Sequence, residues 1–247
     1  MTESADTSTR ARQPHAVLDL DSRRLKAIKI ERLLDLPSRA QPMRMLEIGT
    51  GSGGIAHYFG THPSLRIEVD AVDIVDNRRL DGGYRFQLVT DTTLPFPDAS
   101  FDVVLTNHVI EHVGDRRAQL AHLLEIRRVL RSDGIGYLAV PNRWQLVEPH
   151  YKLAFLSWWP HAWRSAWLKR WRGVDFYDCE PLTVPELERL LAEAGFRFQN
   201  LCVESVHAML AIERPQSIVK KLLDLAPNPL LAMLRPIIPT LIYRFSL

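Results

Sequence analysis

The sequence has few cysteines, no long apolar run and almost no net charge. Only two cysteines, Cys179 and Cys202, occur in 247 residues, too few for a disulfide framework and without the paired spacing of a metal site. We therefore expect both thiols to be reduced and buried, and we expect no bound metal. No run of about eighteen apolar residues is present, which excludes a conventional transmembrane helix. The formal net charge is +2, so the chain as a whole lacks the basic surface of a nucleic-acid-binding protein.

The N-terminus is also poor in apolar residues. The stretch from Met1 to Pro14 is polar and lacks the apolar core that a signal peptide needs. We predict a disordered lead-in over residues 1–16 and a cytoplasmic protein. The overall composition, 46% hydrophobic and 24% charged, suffices for one globular domain with attachments.

A glycine-rich turn follows an apolar strand in Met45-Leu46-Glu47-Ile48-Gly49-Thr50-Gly51-Ser52-Gly53, and Asp73 closes a second strand. Glycines adopt backbone angles that other residues avoid, and they let a ligand approach the main chain. The later carboxylate is placed to accept hydrogen bonds from a ribose, so the pattern indicates a nucleotide-cofactor site. Because Gly49-x-Gly51-x-x-Gly54 also fits the dinucleotide fingerprint of nicotinamide and flavin enzymes, the glycines alone leave both cofactor classes open.

The next strand ends distinguish the two cofactor classes. An aspartate ends the third strand in Leu88-Val89-Thr90-Asp91, the fourth begins Phe101-Asp102-Val103-Val104, and Leu130–Gly134 precedes a fifth. With these motifs in this order, the chain resembles the class I S-adenosylmethionine-dependent methyltransferases over roughly residues 43–142. The resemblance is to the small-molecule subgroup that includes the quinone methyltransferases. A dehydrogenase would also show a second catalytic domain or a Tyr-x-x-x-Lys-type pair, and the sequence shows neither.

Hydrophobic periodicity predicts alternating strands and helices, and hence an α/β fold with a parallel sheet covered on both faces. Strands are predicted near 43–48, 67–73, 85–90, 101–106 and 134–140, and helices near 21–36, 53–60 and 116–130. The first helix should end at Pro37 and pack beside the cofactor cleft.

Two more strands are predicted at 196–204 and 206–213. The resemblance implies that they form the antiparallel edge pair, at the C-terminal end, of a Rossmann-like seven-stranded mixed sheet. The methyltransferase domain would then cover 17–213, with an acceptor insert or lid at 143–180 and an amphipathic C-terminal extension at 214–247.

The resemblance implies S-adenosylmethionine as the cofactor. It assigns cofactor binding to Glu47, Gly49, Thr50, Gly51, Gly53, Asp73, Ile74, Asp91, Thr92 and Asn107. Glu47 lies in an otherwise apolar strand, where an unpaired carboxylate would cost several kcal/mol, so it should face a ligand or a partner. Asp70 competes with Asp73 for the ribose, but only Asp73 ends its strand. Asp91 would take the adenine amino group, or it could cap a turn instead.

Three histidines are candidates for a catalytic base. Methyl transfer from sulfur needs mainly alignment and dehydration, so a base is optional. His108 follows Asn107 at the mouth of the sheet, and His150 would reach the pocket from the insert; these two are the predicted catalytic residues. His112 is interpreted as a helix-start residue with internal hydrogen bonds.

All six tryptophans lie between residues 144 and 171. Trp163, Trp167 and Trp171 repeat every fourth residue and form one stripe on a predicted helix, with Lys and Arg around it. The segment from Arg214 to Leu247 is also apolar and basic, and its prolines break it into pieces too short to span a bilayer. We expect either peripheral contact with the inner face of the membrane, through 157–172 and 217–247, or plain core and lid packing.

These observations predict methyl transfer to an oxygen of a small or lipid-linked acceptor. C-methylation of a quinone-like acceptor, and a non-catalytic cofactor-binding partner subunit, stay open as alternatives. An enzyme acting on protein or nucleic acid would show a basic recognition face or an Asn-Pro-Pro-Tyr-type motif at the fourth strand. The chain has Asn107-His108-Val109-Ile110 there.

Overall fold

Strands and helices alternate along the part of the chain that the computed structural model describes, residues 18–37 and 41–247. The strands are β1 (Met43–Ile48), β2 (Ile67–Asp73), β3 (Tyr84–Leu88), β4 (Phe101–Asn107), β5 (Leu130–Pro141), β6 (Arg197–Asn200) and β7 (Thr240–Ser246). The helices are α1 (Leu20–Leu34), α2 (Gly54–Gly60), α3 (Arg116–Val129), α4 (His161–Arg172), α5 (Val184–Glu193), α6 (Cys202–Glu213), α7 (Ile218–Leu225) and α8 (Asn228–Ala232). The predicted lead-in over 1–16 lies outside the described residues.

The seven strands form one sheet in the order β3-β2-β1-β4-β5-β7-β6. All neighbouring strands are parallel except that β7 runs antiparallel to both β5 and β6. The chain order reverses between β1 and β4, and in such sheets ligands bind at this point, outside the carboxyl ends of the strands. The predicted α/β fold with a seven-stranded mixed sheet is therefore confirmed, and the cofactor motifs fall at the expected edge.

Alternate residues of the central strands fill two separate cores, one on each face of the sheet. Leu46 and Val104 pack under α3 and α5, whereas Met45 and Val103 pack under α1 and α2. This two-sided burial explains why the parallel strands are almost continuously apolar. The buried Glu47 is an exception within this pattern.

The predicted positions of the last two strands are wrong. Only Arg197–Asn200 pairs as β6, and the residues predicted as a strand at 206–213 belong to helix α6. Five side chains of α6 are buried, and the helix packs against α1 and β7. The missing strand is β7, which comes from the segment assigned to a C-terminal extension and lies between β5 and β6. That segment therefore contributes to the sheet.

β7 takes the central place of the C-terminal half because its side chains fill both faces. Its residues Leu241, Ile242, Tyr243 and Phe245 are buried. Gly136 on β5 pairs with Phe245, and a Cβ added at Gly136 would come 2.0 Å from the Phe245 ring. Because Gly136 has no side chain, the Phe245 ring can pack against β5 at this position.

α1 begins at a well-formed N-cap and ends before Pro37. The Asp19 carboxylate accepts hydrogen bonds from the backbone N–H groups of Asp21 and Ser22, and Asp35 ends the helix in a left-handed conformation. The helix packs against α2, which follows the glycine turn, and against α6. α1 therefore lies beside the helix that follows the glycine turn; its place at a cofactor cleft stays a prediction. No helix in the described ranges combines the length and the apolar character needed to cross a bilayer.

Candidate cofactor and acceptor site

The loop Gly49–Gly53, here called the glycine loop, joins β1 to α2 in a conformation that glycine favours. Gly49, Gly51 and Gly53 have φ values of 78°, 55° and 79°. A Cβ at Gly49 would lie 2.3 Å from a Val109 methyl carbon, and one at Gly53 would lie 2.2 Å from the Tyr84 hydroxyl oxygen. The backbone of this loop therefore packs directly against the Val109 and Tyr84 side chains at the carboxyl end of β1.

Asp73 at the end of β2 fixes the glycine loop. Its Oδ2 accepts a hydrogen bond from the Gly51 N–H at 2.8 Å, and its Oδ1 accepts one from the Ile74 N–H at 2.7 Å. Asp70, the competing aspartate, instead bonds the Arg44 and Arg85 guanidinium groups at 3.0 and 2.7 Å. Asp70 is thus a structural residue, and Asp73 is the carboxylate that faces the loop.

The carboxyl group of Glu47 is buried at the floor of the cleft. Glu47 is 2% exposed, and its Oε2 has no hydrogen-bond partner within the described structure. Burial raises the pKa of Glu47 to about 8, while a backbone hydrogen bond near Ala56 and the nearby Arg23 oppose the rise. This carboxyl group is therefore protonated near neutral pH.

The remaining predicted cofactor residues surround the same strand ends. Thr50 uses its hydroxyl to bond the Val72 carbonyl oxygen at 3.2 Å. Asp91 accepts a hydrogen bond from the Thr93 N–H at 2.7 Å, which lowers its pKa and shows the turn-capping role; Thr92 lies inside that turn. Asn107 ends β4, and its Oδ1 is buried without a partner among the described residues.

Unpartnered buried polar atoms converge on this cleft. They are the Arg23 Nε, Glu47 Oε2, Ser52 Oγ and Asn107 Oδ1 atoms, together with both Glu111 carboxylate oxygens. Buried polar groups in native proteins are almost always hydrogen-bonded, so such a concentration indicates a polar ligand. Two carboxylates, a glycine loop and an amide suit a molecule with cationic groups and ribose hydroxyls. These residues therefore fit S-adenosylmethionine.

His108 adopts a strained backbone conformation directly after β4. Its φ is 59°, which is uncommon for a residue with a side chain, and its N–H donates to the Ala139 carbonyl oxygen at 2.8 Å. The imidazole Nδ1 lies 3.3 Å from Glu111 Oε1. Burial lowers the pKa of His108 well below 6.5, and the nearby Lys26 lowers it further. The ring is therefore neutral at neutral pH.

Lys26 and Glu111 are further titratable groups beside His108. Burial lowers the pKa of Lys26 to about 7 and raises that of Glu111 to about 8. Perturbed groups of this kind cluster at functional sites. The end of β4 and the facing side of α1 thus bring three titratable side chains together.

His112, His150 and Cys179 meet in a second cluster beside Glu111. The Cys179 Sγ atom lies 3.7 Å from His112 Nδ1 and 3.6 Å from His150 Nδ1. His150 Nδ1 also lies 2.7 Å from Glu148 Oε1. Burial, followed by the charge of Asp178, raises the pKa of the Cys179 thiol, so it is not a reactive thiolate. Both cysteines are buried and unpaired, as predicted.

The insert after β5 places its tryptophans on an exposed face. Helix α4 buries Arg164 and Leu168, whereas Trp163 and Trp171 are 60% and 56% exposed. Trp159, Trp163, Ala166, Trp167 and Arg170 line a shallow apolar groove. Packing of the whole stripe onto the domain is therefore not observed.

Sequence reasoning missed Arg23, Lys26 and Glu111. Arg23 and Lys26 recur three residues apart on the α1 face that also carries the buried Ala27 and Ile30, and this periodicity could have indicated that both charges point inward. Glu111 lies between the candidate bases His108 and His112, and the pattern of histidines alone does not single it out. Its burial depends on how the chain folds over the end of β4, which local sequence does not reveal.

Comparison with known proteins identifies related domains. The methyltransferase domain family matches residues 20–201. A probable S-adenosylmethionine-dependent methyltransferase of Mycobacterium tuberculosis is 48% identical over 169 residues, which cover 68% of this chain and 53% of that protein. A ubiquinone biosynthesis O-methyltransferase of Parvibaculum lavamentivorans is 26% identical over 173 residues, covering 65% of this chain and 61% of that protein. The chain thus spans between half and two thirds of these two relatives.

Solved structures share the fold. The 1,6-didemethyltoxoflavin N1-methyltransferase of Burkholderia thailandensis, solved with 1,6-didemethyltoxoflavin and S-adenosylhomocysteine, superposes with a TM-score of 0.50 at 21% identity. The match covers 91% of this chain and 77% of that one. At this level of identity the likeness supports the architecture only.

Proposed function

The chain belongs to the methyltransferase domain family, and from this premise we propose that it transfers a methyl group from S-adenosylmethionine to an oxygen of a small or lipid-linked acceptor. One observation carries the proposal. Buried polar atoms without partners, among them Glu47 Oε2 and Asn107 Oδ1, surround the glycine loop where the strand order reverses.

Each residue of the cleft has a defined task in this proposal. When bound, S-adenosylmethionine supplies a methyl group activated on a sulfonium. Glu47 would offset positive charge at the floor of the cleft, and Asp73 would accept hydrogen bonds from the ribose hydroxyls while it accepts the one from the Gly51 N–H. Asn107 would bond the amino-acid part from β4. α1, which packs against α2 beside the glycine loop, would help to exclude water, and this would favour displacement at the methyl carbon.

His108 is the residue that would take the acceptor proton. Its ring is neutral at physiological pH because burial lowers its pKa. Glu111, whose Oε1 lies 3.3 Å from His108 Nδ1, would orient the imidazole for this step. His150 is less suited to this role, since its Nδ1 already bonds Glu148.

Exposed apolar surface beside basic residues supports a lipid-linked acceptor. Helix α7 buries none of its side chains, and Ile218, Leu222 and Leu225 are 74%, 63% and 82% exposed. Lys220 and Lys221 stand on the same helix. An apolar face flanked by lysines suits an anionic lipid surface, where each basic residue contributes about 1 kcal/mol. We propose such a surface as the partner of α7 and of the exposed tryptophans on α4.

A carbon acceptor is the second candidate. The ubiquinone relative is named for O-methylation, and another relative, from Thermotoga maritima, is named demethylmenaquinone methyltransferase. Quinone precursors offer both oxygen and carbon positions to a methyl donor. Methyl transfer to carbon needs the same cofactor site as transfer to oxygen. The structure of the methylated product is therefore needed to distinguish a carbon acceptor from an oxygen acceptor.

The test is to find the molecule that gains a methyl group. The purified chain would be incubated with methyl-labelled S-adenosylmethionine and fractionated polar metabolites and lipids, and labelled products identified by mass spectrometry. Gly51→Val is the matched control, because it impairs the cofactor cradle alone. Nuclear magnetic resonance of the product would separate an O-methyl from a C-methyl group. Cofactor binding without any labelled product would instead identify a non-catalytic subunit.

A further inference from the structure

Three potential metal ligands from distant parts of the chain meet after β4, and a fourth, Glu148, lies beside one of them. His112 lies in the short turn after β4, Glu148 and His150 belong to the insert, and Cys179 lies near its end. The ligand atoms of His112, His150 and Cys179 all lie within 4.8 Å of one another. Cys179 and Glu148 are buried, and the side chain of His150 is 10% exposed.

The distances agree with tetrahedral coordination of one ion. Zinc binds thiolate at about 2.3 Å and imidazole at about 2.0–2.1 Å, so a tetrahedral angle places sulfur and nitrogen about 3.6 Å apart. The Cys179 Sγ atom is 3.7 Å from His112 Nδ1 and 3.6 Å from His150 Nδ1. A direct thiol–imidazole hydrogen bond alone would not require both rings to point the same nitrogen at one sulfur.

The surrounding carboxylates suit a divalent cation. Glu111 Oε1 lies 3.9 Å from the other ring nitrogen of His112, the position from which carboxylates orient metal-bound histidines. Glu148 is anchored because its Oε2 accepts the Tyr151 N–H at 2.6 Å. Its Oε1 bonds His150 Nδ1, and an ion at that nitrogen would leave Oε1 buried without a partner unless it also bound the ion.

We propose that the chain binds one Zn²⁺ through His112, His150, Cys179 and Glu148. Mixed nitrogen and sulfur ligands select zinc over magnesium or calcium. On binding, the Cys179 thiol proton leaves to solvent, the hydrogen bond between Glu148 and His150 is replaced by two metal bonds, and no electron is transferred. Four protein ligands make the site closed and structural.

The ion would attach the acceptor insert to the carboxyl end of β4. His112 follows β4, the strand that carries Asn107, whereas the other three ligands belong to the insert segment 143–180. Metal binding would thus fix the distance between the cofactor strand and the lid over the acceptor. His150 would then serve as a ligand, which leaves His108 as the base.

Cobalt reports directly on a thiolate ligand. The full chain would be stripped of metal with a chelator, titrated with Zn²⁺ and, separately, with Co²⁺, and followed by absorption spectroscopy and elemental analysis. We expect about one ion per chain, tetrahedral cobalt bands in the visible range, and a sulfur-to-cobalt charge-transfer band in the near ultraviolet. These readouts do not depend on methyl transfer.

The two cysteines provide a matched pair of variants. Cys179→Ser should remove the charge-transfer band and weaken Zn²⁺ binding by about 10²-fold or more, and His112→Gln should weaken it similarly. Cys202→Ser, which changes the other buried cysteine, should leave both unchanged. Wild-type protein that binds no stoichiometric ion, or binds cobalt without a thiolate band, would overturn the proposal even if Cys179→Ser failed to fold.

Discussion

Replacing Glu47 by Gln should stabilise the cofactor-free protein near neutral pH and weaken cofactor binding. The glutamine side chain keeps the shape of the protonated carboxyl group and removes its titration. Burial raises the pKa of Glu47 from 4.5 to about 8. In the folded protein the group is therefore protonated at pH 7, whereas in the unfolded chain it is ionised. The stability that it contributes is complete below pH 4.5 and is lost as the pH rises towards 8.

The size of this effect follows from the pKa. Between pH 4.5 and pH 7 the unfolded chain gains about 1.4 kcal/mol per pH unit from ionisation that the folded protein does not share. The wild type should thus lose about 3 kcal/mol of its free energy of unfolding over this range through Glu47 alone. Glu47→Gln should lose none of it. The difference in stability between the two proteins should therefore grow with pH, whatever the fixed cost of packing the amide.

Urea denaturation of both proteins at several pH values between 4.5 and 8 measures this difference. A difference that stays constant with pH would refute the reasoning, because Glu47 would then ionise equally in both states. Calorimetric titration with S-adenosylmethionine in two buffers of different ionisation enthalpy gives a second measurement. A cationic ligand should ionise Glu47 and release close to one proton at pH 7, and Glu47→Gln should bind more weakly and release none.

Three further predictions concern the cleft, the base and the membrane. Gly51→Val and Asp73→Ala should each weaken cofactor affinity in calorimetric titration while circular dichroism stays native; unchanged affinity in both would contradict the assigned site. His108→Ala should lower turnover by about 10² with cofactor affinity retained, and wild-type turnover should not fall as the pH drops through 6.5, because the pKa of His108 lies well below that value. Leu222→Glu should reduce sedimentation with anionic vesicles, whereas Leu124→Glu, at an exposed leucine of α3, should not; equal binding by both variants would argue against the α7 surface.

The cofactor cradle could be predicted from sequence because its determinants are local. A strand, a glycine turn and an acidic strand end lie within thirty residues, and each makes its contact with a near neighbour, as Asp73 does with Gly51. The positions of β1 to β5 along the chain follow from the same alternation of strand and helix. These parts of the fold can therefore be predicted from the sequence.

Local sequence does not predict which segment forms the last strand. Residues 206–213 and 240–246 are both short apolar runs, which periodicity alone does not assign to helix or strand. The decision depends on partners: α6 covers α1, whereas the aromatic rings of Tyr243 and Phe245 fill the space beside β5. Convergence of His112, His150 and Cys179 is equally non-local, since sixty-seven positions separate the first ligand from the last.

The position of β7 also determines how membrane contact can be tested. Deleting the segment after Pro215 would remove α7 together with β7, which pairs with both β5 and β6. It would also remove the carbonyl oxygens of Pro236 and Ile238 that accept hydrogen bonds from the Asn142 side chain at the start of the insert. Such a deletion would open the sheet and free the start of the insert, and loss of vesicle binding would then report unfolding. Substitutions on the exposed face of α7 leave the sheet intact, so only they separate a lipid-binding surface from a folding requirement.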